Sequence, residues 1–249
     1  MQTPESRQKM VLVTGASRGI GRAVAKALAE EYRLILHASR EESLSDLVSE
    51  IGGDHEVLCA DFSDAEATAN FCKRLKKTAG KSLFAVVNNA GIAMDKPLIY
   101  QSVETMDAML NVNVKAPLLI AKVALKIFMA NNEGVLINMS SCVGQTGNAF
   151  QVVYSMTKAA MTAMSKSVAK EVGVLKKEHR IRSLSIAPGF VETEMTAGLS
   201  EAVREQYLGM IPSSYFGSVE EIAKVVRFAI SGDASYVNGT EIAVNGGLV

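Results

Sequence analysis

Short apolar segments alternate with amphipathic helical segments along almost the whole chain, and this alternation limits the folds that the chain can adopt. Residues 9–14 form an apolar run, and residues 18–31 then repeat Ala, Val and Leu at the spacing of a helix face. Such a pattern favours an α/β fold with right-handed crossovers and helices on both faces of a sheet. Further strands are predicted at residues 33–37, 56–60, 83–88, 135–140, 181–187 and 241–244. We therefore expect a doubly wound, mostly parallel sheet of seven strands.

The 249 residues suit one large α/β domain. No linker or internal repeat divides the sequence, so we expect a single domain over residues 1–249, with the polar residues 1–8 as a flexible tail. The 26 acidic side chains balance the 26 basic ones, which argues against a nucleic-acid partner. Apolar runs are too short to cross a bilayer and the first residues do not resemble a signal peptide. We therefore expect a cytoplasmic protein without membrane contact.

The cysteines Cys59, Cys72 and Cys142 are odd in number and far apart. They lack CxxC spacing and a nearby histidine cluster, which argues against a disulfide framework and predicts no metal site. We expect three reduced thiols. Cys142 has no histidine partner for a thiol mechanism and is expected to be a small buried side chain.

The segment TGASRGIG at residues 14–21 joins the first predicted strand to the first helix. Glycines in such a turn let the backbone approach a pyrophosphate, whose charge is attracted by the free amides and the dipole of the helix N-terminus. The spacing TGxxxGxG differs from the GxGxxG dinucleotide pattern. The prediction of a dinucleotide site therefore depends on the motif and the strand–helix alternation together.

The same turn contains GASRG, which fits the GxSxG turn that carries the nucleophile of many hydrolases. That alternative would make Ser17 the nucleophile and would need a histidine late in the chain. Only His179 comes late enough, and it lies in the charged run KKEHR, where a solvated side chain is expected. The hydrolase is therefore the weaker hypothesis.

The end of the second predicted strand indicates which dinucleotide is preferred. An Asp or Glu about twenty residues beyond the glycines usually binds an unphosphorylated ribose, but Ser39 and Arg40 stand here. A guanidinium from Arg40, or from Arg18 in the glycine turn, can pair with a 2′-phosphate. These residues favour NADP(H), unless Glu41 and Glu42 lie nearer the strand end than the pattern predicts.

Six motifs occur in the order found in a known enzyme family. They are TGASRGIG, CADFSD with Asp61, NNAG at 88–91, MSS at 139–141, YSMTK at 154–158 and PGFVETEMT at 188–196. With these motifs the chain resembles the short-chain dehydrogenase/reductases over nearly its whole length. NNAGIAMDKPL, PGFVETEMT and YVNGTEIAVNGG look most like the bacterial 3-oxoacyl-acyl-carrier-protein reductases. The resemblance implies a Rossmann-type fold, an NADP(H) cofactor and a homo-oligomer, usually a tetramer.

The resemblance also implies four catalytic residues, which are Asn113, Ser141, Tyr154 and Lys158. Asn113 would hold a water that relays protons, and Ser141 would bind the substrate oxygen. The nearby Asn111 and Ser140 are rivals for these roles, and the spacing to Tyr154 favours Asn113 and Ser141.

In the family, an acidic residue at the position of Asp61 contacts the adenine, and the turn at residues 89–91 lies along the cofactor. Lys158 would also bind the nicotinamide ribose. The cofactor-binding residues expected from the motifs and the resemblance are Gly15, Ser17, Arg18, Gly19, Ile20, Gly21, Ser39, Arg40, Asp61, Phe62, Asn89, Ala90, Gly91, Tyr154, Lys158, Pro188, Gly189, Val191 and Thr193.

Tyr154 and Lys158 are four residues apart, so they share one face of a helix. A nearby ammonium and the positive charge of an oxidised nicotinamide would lower the pKa of the phenol from its usual value of about 10. The phenol would then serve as acid and base. In the reducing direction, we expect Tyr154 to protonate the oxygen of a ketone while Ser141 holds that oxygen.

The region at residues 190–217 is expected to form a substrate lid. Its apolar side chains suit an acyl chain, and they are Val191, Met195, Leu199, Met210 and Ile211. The resemblance to the bacterial reductases implies reduction of a 3-oxoacyl thioester by NADPH, in fatty-acid synthesis or a related polyene or polyketide pathway.

Acyl carrier protein is the expected thioester partner, although the basic surface that usually meets it is altered. Asn132 stands where related reductases often have Arg, and related reductases also tend to have an Arg near Tyr215. A second basic position follows the YSMTK helix in the family, and Lys176, Lys177 and Arg180 are its possible replacements here. Reduction of CoA thioesters or free ketones is the alternative, and an NADP(H)-sensing binding protein is a third hypothesis.

Overall fold

The computed structural model describes residues 9–198 and 200–249. The flexible tail expected at residues 1–8 lies outside the described residues, as does Leu199 of the expected lid. The side chains of Glu194 and Met195 also lie outside them.

One parallel sheet of seven strands forms the centre of the described structure. The strands are β1 Met10–Val13, β2 Arg33–Leu36, β3 Glu56–Val57, β4 Leu83–Asn88, β5 Glu133–Met139, β6 Arg180–Pro188 and β7 Glu241–Val244. Their order is β3-β2-β1-β4-β5-β6-β7, and all neighbours pair in parallel. The predicted doubly wound, seven-stranded α/β fold is therefore confirmed.

Helices cover both faces of this sheet. In the described chain they are α1 Gly19–Leu28, α2 Ser45–Ile51, α3 Ala65–Ala79, α4 Val103–Leu110, α5 Ala116–Asn131, α6 Val143–Thr146, α7 Val152–Leu175, α8 Glu194–Ala197, α9 Glu201–Met210 and α10 Val219–Ile230. One buried cluster joins the sheet to α1, α2 and α10, and the other joins it to α3, α5 and α7. Strand β1 contributes Val11 and Val13 to the first cluster and Met10 and Leu12 to the second, as expected for a strand covered on both faces.

The bounds of several elements differ from those predicted. Helix α1 ends at Leu28 rather than at residue 31, and β3 ends at Val57 rather than at residue 60. Pairing nevertheless continues irregularly beyond β3, because the Leu58 amide donates to the Leu36 carbonyl and the Ala60 amide donates to the Ala38 carbonyl. The apolar pattern marks the buried segment but does not mark where regular strand geometry stops.

The order of the strands determines where a ligand can bind. From β1 the chain first builds outward to β2 and β3, and it then returns to place β4 on the other side of β1. The chain that follows β1 and the chain that follows β4 therefore leave the carboxyl edge of the sheet in opposite directions. In parallel α/β sheets, ligands bind in the crevice at this reversal.

Candidate active site

A cleft of about 1120 Å³ lies at the carboxyl edge of the sheet, where the strand order reverses. The predicted cofactor residues that line it are Gly15, Ser17, Arg18, Gly19, Ile20, Ser39, Asp61, Phe62, Asn89, Ala90, Gly91, Tyr154, Lys158, Pro188, Gly189, Val191 and Thr193. Gly21 and Arg40 are outside this wall. The fold therefore brings segments that are far apart in the sequence into one cleft.

Hydrogen bonds fix the glycine turn against the loop after β4. The Thr14 hydroxyl accepts from the amides of Asn89 and Ala90, at 2.9 and 3.0 Å. The Asn89 side chain donates to the carbonyls of Thr14 and Gly15. The two loops on either side of the reversal point therefore form one rigid unit.

Two glycines in the turn are required by close packing. Gly15 has a φ of 66°, and a Cβ there would lie 2.9 Å from the Ala90 Cα. A Cβ on Gly21 would lie 2.0 Å from the Gly15 carbonyl oxygen, so Gly21 packs behind the turn instead of lining the cleft. This backbone cradle leads into the N-terminus of α1, whose first amides have no partner within the helix. The turn therefore fits a pyrophosphate.

His37, which directly follows β2, supports the glycine turn, and the sequence analysis did not identify it. Its Nδ1 accepts from the Gly15 amide at 3.2 Å, so the ring carries its proton on Nε2 and donates to the Ala60 carbonyl at 3.0 Å. The ring stacks on Phe62 with centroids 3.9 Å apart. Burial lowers the pKa of His37 to about 4, although the bond to Ala60 acts in the opposite direction. The ring is therefore neutral at pH 7.

The region after β2 contains the groups predicted to distinguish NADP(H) from NAD(H). Arg18 and Ser39 line the cleft, whereas Arg40 is exposed outside the cleft wall. Arg40 precedes the 3₁₀ turn Glu41–Leu44, whose two glutamates are also exposed and away from the wall. Among the described residues, the wall directly after β2 consists of His37, Ala38 and Ser39, without a carboxylate.

Tyr154 and Lys158 lie on one face of α7 and both line the cleft. The Lys158 ammonium nitrogen is 5.5 Å from the centroid of the Tyr154 ring and donates to the Met139 carbonyl at 2.9 Å. Burial lowers the pKa of Lys158 to about 8. Burial also raises the pKa of the Tyr154 phenol above its ordinary value, which is opposite to the shift expected from the sequence. The protein groups alone therefore keep the phenol protonated.

Asn113 lies in a π-helical turn, Asn111–Lys115, between α4 and α5. Its side chain accepts from the Ile92 amide at 2.8 Å and donates to the Ile92 carbonyl at 2.9 Å. It also donates to the Thr157 hydroxyl. A Cβ on Gly91 would lie 3.4 Å from the Asn113 Oδ1 and 3.5 Å from the Lys158 Nζ, so these two polar groups face one small space.

The rival Asn111 donates to the Ser63 carbonyl, and both Asn111 and the buried Asn113 lie outside the cleft wall. Ser140 does line the cleft, but it is buried, donates to the Lys158 carbonyl at 3.0 Å and contacts Thr162. Ser141 is less buried and lines the cleft, as Tyr154 does. Asn113 and Ser141 remain the predicted members of the catalytic set.

The structure does not bring together the residues of the hydrolase alternative. Ser17 lines the cleft, whereas His179 lies outside its wall, half-buried, and accepts from the Ile181 amide. Cys142 is buried and burial raises the pKa of its thiol, so the expectation of a small buried side chain is confirmed. All three cysteines are free. Among the described residues, no cluster of His, Cys, Asp and Glu side chains could hold a metal ion.

The lid segment contributes different side chains from those predicted. Val191 lines the cleft, but Met210 is exposed and Ile211 is buried away from the cleft wall. Phe190 and Tyr207 line the cleft in their place. The described part of the lid therefore adds two aromatic rings to the predicted aliphatic side chain of Val191.

Comparisons with known proteins agree with this arrangement. A family model described as enoyl-(acyl carrier protein) reductase matches residues 15–249. The 3-oxoacyl-[acyl-carrier-protein] reductase of Pseudomonas aeruginosa is 37% identical over 244 residues, which cover 96% of this chain and 97% of that protein. The Aquifex aeolicus enzyme of the same name is 37% identical over 246 residues, with 96% and 97% covered. The human (3R)-3-hydroxyacyl-CoA dehydrogenase is 33% identical over 254 residues, with 97% and 96% covered.

These relatives match nearly the full length of the chain, and the family model spans the glycine turn, the cleft and the last strand. In the described chain, no helix combines the length and the apolar character needed to cross a membrane. The chain belongs to the short-chain dehydrogenase/reductase family of oxidoreductases.

Proposed function

We propose that this chain is an NADPH-dependent ketoreductase that converts a 3-oxoacyl thioester on acyl carrier protein into the 3-hydroxyacyl thioester. The observation that carries the proposal is that Ser141, Tyr154 and Lys158 line the same dinucleotide-sized cleft as the glycine turn. The names of the bacterial relatives support the same reaction. Fatty-acid synthesis, or a related polyene or polyketide pathway, is the proposed setting.

The cleft fits a nicotinamide dinucleotide. The glycine turn at residues 14–21 would hold the pyrophosphate, and Asp61 and Phe62 would contact the adenine end. Arg18 and Arg40 would hold the 2′-phosphate, since a guanidinium pairs well with phosphate and the wall after β2 has no carboxylate among the described residues. When bound, the cofactor supplies the hydride that the ketone carbon accepts.

Tyr154 would act as the general acid. Burial raises the pKa of its phenol, so the proton is present at neutral pH and can be given to the oxygen as negative charge develops there. Ser141 would donate a hydrogen bond to the same oxygen and limit its charge. Tyr154 and Ser141 together suit the reduction of a ketone, because both act on the oxygen bound to the carbon that accepts the hydride.

Lys158 and Asn113 would support this acid. Burial lowers the pKa of Lys158 to about 8, so its ammonium form predominates at pH 7 but exchanges protons readily. Its field favours charge on the neighbouring oxygen. The Asn113 side chain accepts from the Ile92 amide and donates to the Thr157 hydroxyl, and these bonds hold it near Lys158, where it would position a relaying water.

The surface that would meet the carrier protein departs from the basic pattern expected of the bacterial reductases. The Lys176 ammonium donates to the Met129 carbonyl, near the end of α5, at 2.6 Å, so it already has a hydrogen-bond partner within the protein. Lys177 and Arg180 are exposed and would meet an acidic carrier. A CoA thioester is the second candidate substrate, because the human relative is named for one.

The proposed location of the protein is the cytoplasm. The three free thiols are compatible with this reducing compartment.

The experiment that tests the proposal follows NADPH absorbance with the purified protein. Acetoacetyl groups are offered on acyl carrier protein and on CoA, and each assay is repeated with NADH. Crotonyl carrier protein tests the enoyl reduction that the family description names, and butyryl carrier protein is the blank. We expect NADPH oxidation with the acetoacetyl carrier. Oxidation with crotonyl carrier protein alone, or cofactor binding without oxidation of any ketone, would contradict the proposal.

A further inference from the structure

Three aromatic rings form a stacked wall in the lid segment. The Phe190 and Tyr207 ring centroids are 4.1 Å apart with an interplanar angle of 27°, and those of Phe190 and Phe216 are 5.5 Å apart with an angle of 24°. Phe190 and Tyr207 line the cleft, while Phe216 is 5% exposed and supports Phe190 from behind. We call these three residues the aromatic wall.

Contacts outside the cleft hold the aromatic wall in place. The Arg204 guanidinium lies 4.5 Å from the centroid of the Phe216 ring and pairs with Glu192. The Gly217 amide donates to the Phe190 carbonyl at 2.9 Å, so the two segments that carry the rings are joined through the backbone. An exposed ion pair contributes little to stability. Here the pair with Glu192 holds the Arg204 guanidinium over the Phe216 ring and so restricts the orientation of that ring. The rings are therefore preorganised.

The aromatic wall begins next to the proposed catalytic residues. Phe190 is two residues beyond Pro188, whose carbonyl accepts from the Cys142 amide at 2.9 Å, and Cys142 follows Ser141 directly. Phe150, four residues before Tyr154, also lines the cleft. An acyl chain whose 3-oxo group reaches Ser141 and Tyr154 would therefore run along aromatic rings.

We propose that the preferred substrate is a 3-oxoacyl thioester whose chain beyond the 3-oxo group is planar and conjugated, either a polyene or an aryl group. This inference rests on the proposed function. A flat π-system gains from offset stacking on aromatic rings in addition to the burial of its area, whereas a saturated chain gains only from burial. Of the described lid side chains predicted to suit a saturated chain, Met210 and Ile211 lie away from the cleft wall and Val191 lines it.

The test compares N-acetylcysteamine thioesters of 3-oxooctanoate and of 3-oxoocta-4,6-dienoate, which have equal chain lengths. Conjugation alters the reactivity of the ketone, so the informative quantity is the dienoyl-to-saturated ratio of kcat/KM in each variant. We expect Tyr207→Leu to lower this ratio about two- to tenfold. The control Tyr215→Leu changes an exposed Tyr outside the cleft wall and should leave the ratio unchanged. Equal ratios in wild type and Tyr207→Leu would overturn the inference.

A second measurement uses only the wild-type protein, so its result does not depend on whether a variant folds. Cinnamoyl and 3-phenylpropanoyl thioesters lack the 3-oxo group, and they differ in one C=C bond that makes the cinnamoyl chain planar and conjugated, so both are used as competitive inhibitors. We expect the cinnamoyl thioester to bind more tightly, and equal or reversed affinities would overturn the inference. If 3-oxooctanoyl thioester is reduced without these preferences, only this inference fails. If no ketone is reduced, the proposed function fails and the inference fails with it.

Discussion

Burial sets the protonation of three side chains that line the cleft. The pKa of His37 is lowered to about 4, the pKa of Lys158 is lowered to about 8, and the pKa of Tyr154 is raised. At pH 7, His37 is thus a neutral acceptor for the Gly15 amide, while Tyr154 keeps its proton. The cofactor turn and the proposed acid are therefore both prepared for their roles by desolvation.

His37 should make the fold sensitive to acid. Its pKa is about 4 when folded and about 6.5 when unfolded, so the unfolded chain binds the additional proton between these values. The stability that neutral His37 provides is therefore complete above pH 6.5 and is lost as the pH falls to about 4. The loss amounts to about 3 kcal/mol. We expect wild type to lose more unfolding free energy than His37→Gln between pH 7 and pH 4.5, measured by urea denaturation.

His179→Gln is the control for this comparison, because His179 lies outside the cleft wall and its ring does not contact the glycine turn. Its acid sensitivity should match that of wild type. Equal losses in wild type and His37→Gln would show that the neutral ring is not responsible.

Arg18 should select between the two cofactors. It lines the cleft, whereas Arg40 is exposed outside the wall, although the sequence pattern favours both. A hydrogen bond to a charged phosphate contributes about 1.5–3 kcal/mol, so Arg18→Ala should raise the KM for NADPH about ten- to hundredfold and alter the KM for NADH little. Arg40→Ala is the matched comparison and should have a smaller effect. If Arg18→Ala weakens both cofactors equally, Arg18 does not bind the 2′-phosphate.

At the level of elements, Glu241 on β7 joins α7, which carries Tyr154 and Lys158, to α6, which follows Ser141 along the chain. Its carboxylate accepts from Gln145 on α6, from Thr162 on α7 and from Ser185 on β6. Thr162 in turn contacts Ser140, whose hydroxyl donates to the Lys158 carbonyl. The last strand is thus connected through one carboxylate to the segment with Ser141 and to the helix with Lys158.

Glu241→Ala should therefore weaken both stability and turnover. It leaves three donors without their acceptor, which should lower the unfolding free energy by about 1–3 kcal/mol. We also expect a several-fold lower kcat, because α6 and α7 lose their common anchor. Glu171→Ala removes an exposed glutamate from α7 and is the control. Unchanged stability and kcat in Glu241→Ala would contradict this role.

The sequence predicts these elements well where local pattern determines them. The predicted bounds of β4 and β7 match the structure, because turn residues flank a short, mostly apolar run in each case. Tyr154 and Lys158 were predicted to share a helix face because their spacing is local. His37 and Glu241 were not identified, since His37 meets Gly15 across 22 positions and Glu241 meets Gln145 across 96. A single sequence gives no sign of such pairings before the fold is known.

At the scale of the whole molecule, exposed apolar side chains on α4, α5 and α7 indicate association. Val103, Leu110, Leu118 and Met156 are 65%, 41%, 53% and 61% exposed. Apolar side chains that are grouped on neighbouring helices are typical of a protein–protein interface. The surface agrees with the homotetramer that the family resemblance implies, and we propose that these helices form its contacts.

Light scattering after gel filtration should give a mass about four times the 26.6 kDa of the chain. Leu118→Glu places a charge among these apolar side chains and should lower the mass. Lys73→Glu, on the exposed face of α3, is the control and should leave the mass unchanged. A wild-type mass of one chain at micromolar concentration would contradict the proposed tetramer.

The most direct test of the proposed reduction compares wild type and Tyr154→Phe. NADPH oxidation is followed with acetoacetyl carrier protein, and NADPH binding is measured by fluorescence. We expect turnover to fall about 10²–10⁴-fold, because the proton donor is lost, while NADPH affinity changes less than about twofold. Tyr100→Phe, at an exposed position outside the cleft wall, should keep wild-type turnover. Near-normal turnover in folded Tyr154→Phe would contradict the account, because the reduction would then need a different acid.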